Sequence, residues 1–133
     1  MNNVDTHIEG LRHLGGSERL RDSLTTLAEG ERPGRVIEQH RSGVVVDDGL
    51  GVTTLRPHPS LQRTLSDADD GLAVGDWVVC GDDGHGSQWI NRLLPRSSLI
   101  VRGREEGGRQ RIVANVDIAL LVMGLDGDYS ANR

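Results

Sequence analysis

From Gly34 to Pro95 the chain is a succession of short β-type runs, each stopped by glycine, proline or aspartate. Gly34 to His40 alternates, with Val36 on one face and Arg35 and Ile37 on the other; Gly43 to Val46 is a β-branched run, and Asp47-Asp48-Gly49 is a turn. Val52 to Arg56 reads as a third strand. Pro57 to Gly75 reads as a long connection with one helical turn near Leu61 to Leu65. Asp76 to Cys80 is the fourth strand and Ser87 to Leu94 the fifth, stopped by Pro95. With no Phe in the chain, the core must be built from Val, Leu and Ile, anchored by Trp77 and Trp89. Such a core suits short strands better than long helices.

The expected fold class is all-β. Five strands with the longest connection between the third and fourth match an OB-fold, a five-stranded Greek-key barrel that binds oligonucleotides; an SH3-like barrel would give the same count. Residues 1–16 are polar and without period, a disordered lead-in, and Leu20, Leu24 and Leu27 predict a short helix opened by Ser17 and closed by Gly30 and Pro33. The expected layout is therefore an extension with a short helix over residues 1–33, a barrel over 34–96, and a basic, Gly-rich linker over 97–112. Residues 113–133 differ in texture. The unbroken apolar run Ile118 to Met123 reads as a strand buried on both faces of a parallel sheet, and nothing after it can cover such a strand. The expectation is the first strand of a truncated α/β domain.

A net charge of -5 argues against a nucleic-acid partner, because phosphate binding is driven by basic side chains. The distribution argues differently: residues 1–85 carry 8 Arg against 15 acids, whereas residues 86–112 carry 6 Arg against 2 Glu. Arg35, Arg41 and Arg56, on or beside the first three strands, form a candidate phosphate track. Arg96, Arg102, Arg104, Arg109 and Arg111 form a denser group that would serve either as a charged linker or as an RNA contact. Trp77 shares a strand face with Val79 and reads as core. Trp89 and Ile90 point to opposite faces unless a bulge intervenes, so if Trp89 is outside it is the candidate for base stacking. The candidate RNA-binding residues are thus Arg35, Arg41, Arg56, Trp89, Arg96 and Arg102. His40, His58 and His85 have no catalytic partner at a telling spacing. The aspartates at 67, 69 and 70 read as a solvated loop. Cys80 reads as a buried, inert thiol, and no Cys/His cluster has zinc spacing. No run approaches the length of a membrane span.

Several motifs resemble one family in order and spacing. They are Gly34-Arg35-Val36, Val74-Gly75-Asp76-Trp77-Val78, Leu94-Pro95-Arg96-Ser97-Ser98-Leu99 with Arg102 beyond it, Gln110-Arg111-Ile112-Val113-Ala114-Asn115-Val116-Asp117, and Asp126 to Arg133. Residues 34–133 on this basis resemble the N-terminal region of the ribosome small-subunit-dependent GTPase A family. The resemblance implies an OB-fold followed by a circularly permuted GTPase domain and a zinc-binding domain. It further implies action late in small-subunit maturation, with the OB domain on ribosomal RNA. GTP, magnesium and zinc would belong to the parent protein. This chain contains neither an N-K-x-D-like motif nor G-x-x-x-x-G-K-S, so it is expected to hold no cofactor and to hydrolyse no GTP alone. The expected partners are the small ribosomal subunit and its rRNA, with no DNA and no membrane, for a monomeric, cytoplasmic protein. The alternative is a regulatory or protein-binding domain with little RNA contact, favoured by the acidic first half.

Overall fold

The computed structural model describes residues 3–125; the expectation drawn from Asp126 to Arg133 lies outside them. It is a mostly-strand structure built on antiparallel pairs. β1 (Arg32–His40), β2 (Gly43–Asp47), β3 (Val52–Leu55), β4 (Trp77–Asp82) and β5 (Gln88–Leu93) form one sheet in the order β3-β2-β1-β4-β5. Two register shifts, between Val36 and Glu38 in β1 and between Val79 and Cys80 in β4, mark bulges that bend the sheet. The ladder itself stays open between β3 and β5. Just past β3, however, Pro57 makes a parallel bridge to Ile90, with the Ile90 amide donating to the Arg56 carbonyl at 2.9 Å and the His58 amide to the Ile90 carbonyl at 2.8 Å.

The sheet has apolar residues on both faces. One face, with Val36, Val44, Val46, Leu55, Val78, Cys80 and Ile90, packs on Leu61 and Leu65 of helix α3 (Pro59–Asp67). Pro59 stands in the first turn of that helix, and the His58 ring accepts a hydrogen bond from the Ser60 amide as its cap. The single turn expected near Leu61 is thus a nine-residue helix. Its apolar period is short because only the Leu61/Leu65 stripe meets the core.

The other face carries Trp77, Val79 and Leu94, and is covered by the N-terminal arm: Val4, Ile8, Leu11, Leu20 and Leu24 pack against it. Here the structure corrects the sequence. The lead-in expected to be disordered contains α1 (Asn3–Gly10) and a 3-10 turn at Arg12–Leu14, while α2 (Glu18–Ser23) is shorter than the helix expected to run toward Gly30. Leu24 is already extended, yet both Leu20 and Leu24 are buried, so the leucine spacing marked the packed face correctly but not the helix length. Arg21 pairs with Asp5, tying α2 to α1.

A second difference concerns residues 97–112. Instead of a linker they hold β6 (Leu99–Gly103), paired with β7 (Arg109–Ala114) as a separate two-stranded sheet. This hairpin is joined to the main sheet by a parallel bridge from Val113 to Val74, where the Ala114 amide donates to the Val74 carbonyl at 2.8 Å. Gly75 makes the approach possible: its φ is +94°, and a Cβ there would run into the Ala114 carbonyl. A third difference is the run Ile118 to Met123. It forms no strand; Leu120 and Leu121 are 86% and 90% exposed, and no strand lies beside them among the described residues. An apolar run has no ladder to join without a partner.

Candidate nucleic-acid interface

The structure divides the arginines singled out in the sequence into two populations. Arg35 leaves β1 on the arm side, its guanidinium 5.0 Å from the centre of the Trp77 ring. Its N–H groups donate to three carbonyls: Gly75 at 3.0 Å, Asn115 at 2.9 Å, and Leu14 in the N-terminal arm. Arg96 is held more tightly. Its Nε and Nη2 donate to the two oxygens of Asp76 at 2.7 and 2.8 Å, its Nη1 to Asp70 at 3.0 Å, and Nη2 also to the Gly71 carbonyl. Asp76 is fully buried and accepts from the Ala73 amide as well. Arg111 completes the group, with Nε on Asp70 at 2.9 Å and Nη2 on the Asp69 carbonyl at 2.8 Å.

These contacts set the ionisation of the group. The Asp76 and Asp70 carboxylates raise the Arg96 pKa above its ordinary value despite burial. Burial alone would raise the Asp70 pKa. The Gly71 amide, Arg96 and Arg111 outweigh it and hold that carboxyl below the usual range. The aspartate cluster expected to be a solvated loop is therefore, at Asp70, the junction that ties β7 and the segment after β5 to the loop behind α3. Asn115, in a left-handed conformation (φ 56°), reinforces it by donating to the Gly75 carbonyl and accepting from the Ser97 amide. Arg35 and Arg96 are structural anchors here, their guanidiniums engaged by oxygens of the fold. Arg102 lies exposed on the hairpin and donates to Gln110 at 2.7 Å, with Arg104 and Arg109 exposed nearby.

Arg41 and Arg56 are a different case. Both are exposed, neither guanidinium makes a hydrogen bond or ion pair among the described residues, and both line one groove of about 910 Å³ running between the β1–β2 turn, the end of β3 and α3. The groove adds a residue that sequence reasoning missed: Arg63, on the exposed side of α3. The signal is present in the sequence, since Arg63 falls between Leu61 and Leu65 and must point away from them in a helix, but it is visible only once the stretch is known to be helical. Asp67 is the one carboxylate among the described residues lining this groove.

Trp89 stands at the same groove. The alternation leaves open which of Ile90 and Trp89 points outward; Ile90 is completely buried, so it is Trp89 that faces out, half-exposed. Its indole Nε1–H donates to Asp83 at 3.0 Å, and the His58 ring meets it edge-on at 5.5 Å and 77°. Trp77, by contrast, is 7% exposed in the core under the arm. Cys80 lies in the other core cluster, and burial pushes its thiol up to about 12. No group of three or more His, Cys, Asp or Glu is placed to hold a metal among the described residues, and no helix there is long and apolar enough to cross a membrane.

No family model matches the chain. Individual proteins do. It is 43% identical over 105 residues to the small ribosomal subunit biogenesis GTPase RsgA of Xylella fastidiosa strain M23, covering 77% of this chain and 30% of that protein. It is 40% identical over 107 residues to the RsgA of Xanthomonas campestris pv. campestris strain B100, covering 76% and 27%. A third, the RsgA of Xanthomonas axonopodis pv. citri strain 306, is 39% identical over 104 residues. The chain spans about three tenths of the length of the relatives it matches. The match agrees with the motifs that run from Gly34 to Asp117, and on these grounds the chain belongs to the RsgA family.

Proposed function

We propose that this chain is an RNA-docking β-domain of OB type within a cytoplasmic GTPase of small-ribosomal-subunit biogenesis, and that it seats the parent protein on small-subunit rRNA. The observation that carries the reading is the groove: Arg41, Arg56 and Arg63 converge beside a half-exposed Trp89, and none of the three arginines has an acidic partner among the described residues. Arginines without internal partners, beside an aromatic, are suited to neutralise phosphates. The strand order, with the two edges meeting at Pro57 and Ile90, supports the OB reading, since a barrel of that type needs this closure. GTP, magnesium and zinc in this reading belong to the parent protein. The chain's overall charge of -5 makes the docking weak and salt-sensitive. Titrating a labelled small-subunit rRNA segment into the protein at low and at moderate salt tests it: binding that weakens steeply with salt is expected, and no binding at low salt would sink the reading.

A second reading, a protein-contact domain, has its own observation. Ile100, Val101 and Ile112 on the β6–β7 hairpin are each about 40% exposed, and the run from Ile118 is more so. Unchanged subunit binding after replacement of the three groove arginines would favour it.

A further inference from the structure

We propose that the Arg41/Arg56/Arg63 groove takes an unpaired RNA strand, with one base lying flat on the Trp89 indole, and that it discriminates against duplex RNA. The inference rests on the RNA-docking reading and specifies its substrate class.

A surface tryptophan with no fixed partner samples several rotamers, and a ligand must then order it. Trp89 is restrained at both ends. Asp83 accepts its Nε1–H, and Asp83 is itself fixed by accepting from the His85 and Ser87 amides at 2.7 and 3.2 Å. His58 presses on the ring edge-on, and its own Nδ1 is 2.8 Å from Ser60 Oγ, at the cap of α3. The ring is therefore set before any ligand arrives, yet it is not buried: it lines both the large groove and an adjoining cleft of about 360 Å³ beside Ser42, Thr54 and Gln88.

Arg56 lines the same two spaces as Trp89, so both the groove and the cleft have a cation and the indole in their walls. Arg41 and Arg63 extend the positive lining away from it, against one carboxylate, Asp67. An aromatic platform flanked by backbone-neutralising arginines is the arrangement that single-stranded nucleic acid needs, because every base has a π-face and every linkage a phosphate. A-form duplex offers phosphates but no free base face, since its bases are stacked on one another and its major groove is too narrow to admit a side chain. Phosphate attraction alone would bind both; the fixed indole rewards only the unpaired strand.

The two tryptophans make the test direct, because Trp77 is buried and Trp89 is not. The protein is titrated at low salt with a short unstructured RNA oligonucleotide and with a duplex RNA of the same length, following binding by a labelled end and stacking by intrinsic fluorescence. The proposal expects tighter binding of the single strand, with quenching of protein emission. Trp89→Ala should weaken single-strand binding by roughly 5- to 150-fold, the range of one lost base stack, and leave duplex binding unchanged. Trp89→Phe keeps a stacking ring, should bind within a few-fold of the parent, and should lose the quench; native circular dichroism of this variant guards against an effect of misfolding. Equal affinity for both RNAs, with no loss in Trp89→Ala while replacement of Arg41, Arg56 and Arg63 still abolishes binding, would overturn the stacking proposal and leave RNA docking standing. No binding of either RNA at low salt would overturn both.

Discussion

Arg96 and Arg56 carry the same guanidinium and differ in everything around it. Arg96, 13% exposed, has two carboxylates and a carbonyl within reach, and every edge of its fork is engaged; Arg56 projects from the end of β3 with no such partner among the described residues. The difference extends to their neighbours. Arg35, Arg96 and Arg111 fasten the N-terminal arm, the loop behind α3 and the hairpin to the main sheet, whereas the side chains of Arg41, Arg56 and Arg63 make no hydrogen bond or ion pair among the described residues. What an arginine does in this molecule is decided by whether an oxygen is supplied to it by the fold.

The sharpest way to break this comparison is Arg96→Ala. It leaves Asp76 completely buried with its bidentate partner gone, and removal of one partner from a buried pair costs about 3–5 kcal/mol. Urea unfolding should show a loss of that size; a loss below about 1 kcal/mol would mean that Arg96 is no anchor. Acid is the gentler probe of the same group. The folded-state pKa of Asp70 is depressed, so its contribution is complete above the ordinary carboxylate value of about 3.9 and is lost as pH falls through the lower folded value. Stability should therefore decline below about pH 4, and Asp70→Asn should flatten that part of the curve while costing stability at neutral pH. An Asp70→Asn protein with the parent's acid profile would show that the loop does not depend on this carboxylate. The smallest effect belongs to Cys80. With its thiol pushed up to about 12 inside the core, it should resist a thiol reagent at pH 8 and react only after unfolding. Rapid reaction of the native protein would mean that the sheet opens readily at β4.

Much of this was legible in the sequence, and the gaps have physical causes. The strands from Gly34 to Leu94 and the core position of Trp77 followed from alternation and turn residues, which are local; alternation put Trp89 and Ile90 on opposite faces but did not say which of them lies inside. The N-terminal arm was not recognised, although Val4, Ile8 and Leu11 stand four and three residues apart, as one face of a helix requires; eight residues of helix among polar neighbours give too short a period to stand out. The hairpin of residues 97–112 was hidden by its basic Gly-rich composition, though Leu99-Ile100-Val101 and Ile112-Val113 flank Gly107-Gly108 as strands flank a turn. The anchoring of Arg35 and Arg96 was illegible for a different reason. Their partners lie 20 to 80 residues away in the chain, and no local pattern announces a contact over that distance. The same blindness made the arginines of residues 96–111 look like a single basic group, when two of them are neutralised from within.

The most direct test sets two triple variants against each other: Arg41, Arg56 and Arg63 to Ala in the groove, and Arg102, Arg104 and Arg109 to Ala on the hairpin. Affinity for a labelled small-subunit rRNA segment is measured across a salt series. The groove variant should fold normally, bind weakly, and lower the slope of log affinity against log salt by roughly 2, as expected for three lost single-strand phosphate contacts. The hairpin variant should keep the parent's slope. The opposite result, a groove variant that binds like the parent and a hairpin variant that does not, would contradict the assignment of RNA docking to this groove.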